Sequence, residues 1–472
     1  MNSDYIFDLL HEAVEEGEKN GAKFVEARFD DYQINTIDLT NDIIKESSSK
    51  RRRGTGVMAY YNGTPGYSFT PEVNSEGVKA AANRAAKLAI TADPRNRMKM
   101  EFIERPAIKD KAVPIIKKHP KDYEFQDKLE LLKRGTIAIK ENVDATTIQG
   151  QYGEFYGEKY FVNSEGSEIY WVPIVVDMRV RADIVENGKR ATAMDGMGQS
   201  QGLEFFDQER NSPEVVGANA GKWCKEQLDV VSAPTGKQKV LAGSTLGGVI
   251  VHESFGHLSE ADFVVTGMSP IADRLGEKLG NDLVTIIDEG VTPYGGWFFP
   301  YDDQGTKAGR TVIVENGILK GYLHDRGTAQ KMNTEPTANS RALSFMFPSI
   351  CRMKNTYFEK GDLTEEEAIE MVGDGIYAIS WRGGTASFDG NFLFNCSRGY
   401  LIEKGEVTKP IKTASLSGNV LELLKHVEGT TKNMILRGNF FGGCGKGEQF
   451  PLPVGMGGPE VVMDQVLVGG AQ

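Results

Sequence analysis

Apolar spacing divides the first hundred residues into alternating helical and extended stretches. Ile6, Leu9, Leu10, Ala13 and Val14 fall on one stripe at three- and four-residue intervals, which predicts an amphipathic helix over 4–18 with Ser3 as its N-cap. Strand-like stretches follow at 23–29, 33–39, 56–61 and 66–70. Asn62-Gly63 separates the last two; both residues tolerate positive φ, so a hairpin is expected there. From 75 to 91, Val78, Ala80, Ala81, Ala82, Ala85, Ala86, Leu88 and Ala89 predict a second helix.

Residues 94–121 are punctuated by proline and lysine and read as a connecting loop. A helical pattern occupies 122–141. Residues 143–200 then alternate like an antiparallel meander, with turns at Asn163-Ser164-Glu165-Gly166 and Glu186-Asn187-Gly188. A helix at about 212–230 closes this half. Beyond it, Thr311–Val314 and Leu319–Leu323 flank Asn316-Gly317 as a further hairpin. Thr364 and Glu367 form a capping box at the start of a helix over 364–373. Strands are expected at 376–381, 387–395, 398–402 and 460–467.

At 472 residues the chain exceeds what one hydrophobic core usually supports. The turn-rich stretch Ser232-Ala233-Pro234-Thr235-Gly236 divides it into two domains, 1–232 and 233–472. The expected class is α+β: N-terminal helices packed on an antiparallel sheet, then a β-rich C-terminal domain carrying one short apolar helix.

A net charge of −12 disfavours direct binding to nucleic acid phosphates. Lys50-Arg51-Arg52-Arg53 is the one basic cluster and reads as a solvated loop. The N-terminus shows no signal-peptide pattern and no apolar run is long enough to span a membrane, so a cytoplasmic protein is expected. Four scattered cysteines fit a reducing compartment better than a disulfide scaffold.

The apolar helix changes the picture. It runs Gly247-Gly248-Val249-Ile250-Val251-His252-Glu253-Ser254-Phe255-Gly256-His257 and holds two of the chain's six histidines. Imidazoles are common ligands of catalytic zinc, and a carboxylate beside one can serve as general base toward metal-bound water. Four-residue spacing puts two histidines on one helix face, but five turns the second roughly 140° away. Both reach one metal only if the helix ends or widens near 254–257, through a π-type turn or a break at Gly256. Catalytic zinc usually takes a third protein ligand. The candidates are Glu260 and Asp262 nearby, and His324, Asp325 and Cys444 at a distance. Cys444 lies among glycines that permit close backbone approach, and Lys446 beside it would favour a thiolate. His324-Asp325 reads as a strand-end hydrogen-bonded pair, and His11, His119 and His426 as surface or satisfied histidines.

Several stretches together resemble the TldD/PmbA family of metallopeptidases, in its catalytic TldD-type form. They are His252-Glu253-Ser254-Phe255-Gly256-His257 with Glu260 and Asp262, Arg274-Leu275-Gly276-Glu277-Lys278, Asp302-Asp303-Gln304-Gly305, and Gly321-Tyr322-Leu323-His324-Asp325-Arg326. Arg352-Met353-Lys354-Asn355-Thr356, Cys444-Gly445-Lys446 and Pro453-Val454-Gly455 complete the set. The resemblance implies zinc held by His252, His257 and Cys444, with Glu253 as general base. It implies broad-specificity cleavage of peptides or unfolded polypeptides by the 233–472 domain, with 1–232 as substrate and dimer scaffold. The implied partner is an identical subunit or a PmbA/TldE-type subunit. The alternative is a non-catalytic peptide-binding or regulatory subunit of such a complex.

Overall fold

The structure, a computed structural model, describes residues 2–100 and 104–470. The first helix, Ser3–Lys19, buries the expected apolar stripe, but its cap lies one residue earlier: the Asn2 side chain accepts from the Asp4 amide at 3.1 Å. The stretches 23–29 and 33–39 are one strand, Phe24–Thr40. It is hydrogen-bonded on both edges, to Ile43–Tyr61 and Thr147–Asn163, and that pairing carries it through Asp30 and Asp31. Ladder bonds on two sides outweigh the weak strand preference of aspartate.

The basic cluster is not a loop. Lys50–Arg53 lies within the strand Ile43–Tyr61, opposite Asp31–Ile34, and the Arg51 guanidinium forks onto the Asp31 carboxylate at 2.6 and 2.7 Å. The stretch 94–121 is mostly irregular, with 101–103 outside the described residues. It does contribute a short strand, Lys109–Ala112, parallel to Glu168–Trp171.

The N-terminal sheet runs in the order Thr64–Thr70, Ile43–Tyr61, Phe24–Thr40, Thr147–Asn163, Glu168–Trp171, Lys109–Ala112. Thr147–Asn163 is shared: its first ten residues pair with Ile174–Glu186, which pairs in turn with Lys189–Gln199. The helices Ser3–Lys19 and Ser75–Ala92 form one core with this sheet. Phe125–Asn142 and Pro213–Glu226 cover the Thr147/Ile174 portion with a second core.

In the C-terminal half, five strands close on themselves: Gly375–Ala386, Gly236–Ala242, Val461–Gly470, Ala414–Asn419 and Asn391–Glu403, the last pairing back to the first. The stretches 387–395 and 398–402 are therefore one strand preceded by a turn. In that turn the Asp389 carboxylate accepts from the Asn391 amide at 3.2 Å, and Gly390 has φ +85°. A six-stranded sheet lies alongside, in which Gly455–Gly458 pairs with Ile435–Gly438 and, at one residue, with Asn355–Phe358. The Asn316-Gly317 hairpin is shorter than expected, Arg310–Glu315 with Ile318–Leu319. Leu323 leaves it to donate its amide to the Ser259 carbonyl at 2.8 Å.

Buried charges join the two halves. Arg326 forks onto Glu165 at 2.6 and 2.9 Å, and Lys159 pairs with Asp303. The Arg28 guanidinium meets the Tyr67 hydroxyl at 3.0 Å and the Ser344 and Phe347 carbonyls. Removing one member of a buried pair strands the other charge. Arg326→Met is therefore expected to destabilise the fold by about 3–5 kcal/mol, read from the denaturant midpoint; a change below about 1 kcal/mol would mean that the pair is not buried in solution.

Candidate metal centre

Ser244–Val249 begins as an ordinary α-helix, fastened by the Ser244 hydroxyl to the Ile435 and Gly458 carbonyls at 3.0 and 2.8 Å. Gly248 has to lack a side chain, because a Cβ there would lie 2.3 Å from the Gly457 amide nitrogen. Leu246, Val249, Ile250, Val251 and Phe255 bury into the largest C-terminal core, where no water competes for the helix's hydrogen bonds.

The helix then widens. Ile250–Gly256 is π-helical, and the His257 amide donates to the His252 carbonyl, five residues back. That i→i+5 bond brings the two histidines to one side, with ring centroids 5.7 Å apart. The widening begins earlier than the sequence suggests, and Gly256 stays right-handed at φ −57°. Glycine is needed there for space rather than conformation: a Cβ would sit 2.1 Å from the Met353 sulfur. A 3₁₀ turn, His257–Ser259, ends the helix before Glu260.

Cys444 arrives on a short strand, Cys444–Lys446, paired with Gln449–Leu452. The preceding backbone is held from the N-terminal sheet, where buried Asp177 accepts from the Phe440 amide at 2.9 Å and the Phe441 amide at 3.4 Å. The result is one cluster: ligand atoms of His252, Glu253, His257 and Cys444 all lie within 4.8 Å of one another. His257 Nε2 stands 2.9 Å from the Cys444 sulfur and 3.4 Å from the Glu253 carboxylate. His252 is fully buried, and neither ring nitrogen has a hydrogen-bond partner among the described residues.

Glu260 is not in the cluster but behind it. Fully buried, it meets His257 Nδ1 at 3.2 Å and the Lys446 ammonium at 3.0 Å, with the Arg352 guanidinium 3.5 Å from its other oxygen. A carboxylate on Nδ1 fixes the tautomer and leaves Nε2 facing inward. Asp262 pairs with Lys446 at 2.7 Å. His324 and Asp325 stand apart from the cluster: His324 Nδ1 is 3.3 Å from the Thr328 hydroxyl, and Asp325 caps the helix Arg326–Lys331. Burial depresses the His324 imidazole to about 4, which keeps it neutral. His11 pairs with Glu168, and the His119 ring accepts from the Lys121 amide.

The charges in the cluster reinforce one another. Burial pushes the Cys444 thiol up, but the imidazoles of His252 and His257 outweigh it and bring the thiol down to about 5. Lys446 is engaged elsewhere and does not set that shift. Burial likewise opposes the Glu253 charge, yet His257, His252 and Arg352 hold it at about 2. Burial works against a charge on Glu260 too, and His257, Lys446 and Arg352 hold it at about 2. His257 is raised well above its ordinary value against burial, chiefly by Glu260, with Cys444 and Glu253 adding to the effect. Arg352 was legible only as part of a motif. It and Lys354 are buried cations beside buried Cys351 and Met353, which in a strand-like run is itself a signal of an interior charge network.

Profiles of the PmbA/TldA metallopeptidases match the chain in three stretches: domain 1 over 25–89, the central domain over 118–222, and the C-terminal domain over 235–470. The chain belongs to the PmbA/TldA metallopeptidase family. A metalloprotease of Methanocaldococcus jannaschii is 33% identical, covering 92% of this chain and 94% of its own. A protein named zinc metalloprotease TldD homolog, from Saccharolobus solfataricus, is 27% identical over 97% of this chain and 99% of its own. The crystal structure of TldE from Thermococcus kodakarensis superposes with a TM-score of 0.82 at 18% identity, over 98% of this chain and all of that one, and so shares the fold. The α+β class expected from the sequence is the one found.

Filling the space at Gly256 tests the packing behind the widened turn. Gly256→Ala should destabilise the fold by about 1–3 kcal/mol, with part of the loss recovered in the Gly256→Ala/Met353→Ala double variant. Additive losses in a urea double-mutant cycle would rule out the contact.

Proposed function

We propose that the chain is a zinc-dependent metallopeptidase acting on peptides or unfolded polypeptides, with His252, His257 and Cys444 as ligands and Glu253 as general base. The observation that carries this reading is the fully buried His252 imidazole without a hydrogen-bond partner, set in a cluster whose ligand atoms lie within 4.8 Å. Burying an unpaired imidazole is costly unless another partner takes its lone pair. Two imidazoles and a thiolate are a donor set suited to zinc, and they leave one coordination position for water or substrate. When bound, the metal supplies Lewis acidity toward water and the scissile carbonyl.

The chain's own residues supply the rest. Glu253, with 26% of its side chain exposed, faces the open side of the cluster while His252 and Cys444 are buried. From there it takes a proton from the attacking water and returns it to the leaving amine. Glu260 holds the His257 ring in the tautomer that keeps Nε2 available. Backbone pairing of an extended substrate with a strand edge accounts for broad specificity without side-chain pockets. The working form in this reading is a cytoplasmic dimer, of identical chains or with a PmbA/TldE-type subunit. A non-catalytic peptide-binding subunit has no use for a carboxylate at the open face of a buried His/His/Cys set, and that favours the enzymatic reading.

Glu253→Ala should retain the metal and lose about 10²–10⁴-fold in hydrolysis of an unfolded peptide; undiminished turnover would remove Glu253 from the reaction. Cys444→Ser should weaken metal binding by more than the about 10–100-fold that an outer partner costs, measured by competition with a chromophoric chelator. Peptide hydrolysis that persists after chelator treatment, with no metal left in the protein, would overturn the metallopeptidase reading.

A further inference from the structure

Lys446 lies two residues beyond Cys444, and every group its ammonium touches belongs to another part of the chain. It reaches Glu260 at 3.0 Å, Asp262 at 2.7 Å and the Cys351 carbonyl at 3.0 Å, and lies 3.9 Å over the Phe263 ring. Its side chain is 11% exposed. Three of those partners follow directly on the helix that carries both histidines, and the fourth lies on the Ile350–Cys351 strand. The Glu260 oxygen that accepts from Lys446 is also the one facing His257 Nδ1. The contacts therefore close a ring: Cys444 sulfur to His257 Nε2, His257 Nδ1 to Glu260, Glu260 to Lys446, and back along two residues of strand to Cys444.

The strand needs such a fastening. It is three residues long and follows Gly442-Gly443, and at Gly443 a Cβ would lie 2.7 Å from the Leu452 carbonyl oxygen. Glycine carries a larger backbone entropy cost on ordering than any other residue, so a three-residue strand that follows two glycines and has one paired neighbour depends on its side-chain contacts to fix the sulfur. An ammonium with three acceptors and an aromatic face, largely out of water, gains more from its contacts than an exposed pair does.

We infer that Lys446 is the positioning residue that presents the Cys444 sulfur to the two imidazoles, acting as a clamp between the cysteine strand and the segment after the histidine helix. The inference rests on the metal-site reading for its consequence but not for its geometry. Without the clamp, Cys444 keeps its pairing with Leu452 but its strand loses the side-chain tie to Glu260 and Asp262, so the sulfur is held less closely to the imidazoles.

The test uses the full-length protein in two states. In the metal-free state, alkylation of Cys444 by iodoacetamide, located by peptide mapping, should speed up several-fold in Lys446→Met, and Lys446→Arg, which keeps a cation of similar reach, should restore most of the protection. Asp262→Ala removes the shortest contact from a side chain that is 35% exposed and so does not threaten the core; it should give a smaller change in the same direction. In the cobalt(II)-loaded state, Lys446→Met should weaken or lose the thiolate-to-cobalt charge-transfer absorption, with metal affinity about 10–100-fold lower. A lysine that merely stabilised the fold would lower the unfolding temperature and leave both signatures unchanged in the native range, and that result overturns the clamp. Faster alkylation in Lys446→Met with no charge-transfer absorption even in the unsubstituted protein supports the clamp and overturns the metal reading instead.

Discussion

A single backbone hydrogen bond, from the His257 amide to the His252 carbonyl, is the constraint on which the rest of the site depends. It spans five residues where an α-helix spans four, and it converts a spacing that would point the imidazoles apart into one that points them together. Such a turn is uncommon because it wastes packing along the helix axis, so its surroundings have to hold it. The Met353 sulfur fills the space left by the missing side chain of Gly256, and the Gly248 backbone rests directly on Gly457. Phe255 and Ile250 disappear into the core beside the closed barrel. The walls hold the helix in its deformed state, and the deformation is what brings the two imidazoles together.

Much of this was legible from the chain alone, and the parts that were not share a physical reason. The five-residue spacing of the histidines already demanded a widened or broken helix, and the amphipathic stripe of the first helix appears as read. Periodicity is local information, and it survives where local packing decides the outcome. It failed where a distant strand decides. Phe24–Thr40 runs through Asp30 and Asp31 because two neighbours hold it, and Arg51 sits in a strand because its backbone pairs with Gln33 while its guanidinium reaches diagonally to Asp31. Lys446, expected from its position to favour a thiolate at Cys444, turns its ammonium to Glu260 and Asp262. No spacing rule reports that: two residues apart on a strand, the side chains share a face, and which groups that face meets is set by the fold.

Charge balance around the cluster follows one logic. Glu253, Glu260 and a low-pKa Cys444 put negative groups into a mostly dry region, and His257, Lys446 and Arg352 sit among them. Charges buried together tolerate one another only when each has a counterpart within a few ångströms. Of these negative groups Glu253 alone is partly open to solvent and carries no lysine or arginine hydrogen bond, which is what the proposed role of proton carrier requires of it.

The grip of Asp177 on the Phe440 and Phe441 amides has a broader meaning for how the chain divides its labour. The Phe440 ring also lies on the Thr147–Asn163 strand, so close to Gly153 that a Cβ there would stand 2.1 Å from it. The first two hundred residues thus touch the approach to the cysteine strand itself. A protein severed at the turn-rich stretch near 232–236 would keep His252, Glu253, His257 and Cys444 on one fragment and leave on the other a support of the backbone that delivers the sulfur. Sequence continuity and mechanical continuity part company here. The four clustered side chains come from the second half, and part of their alignment comes from the first.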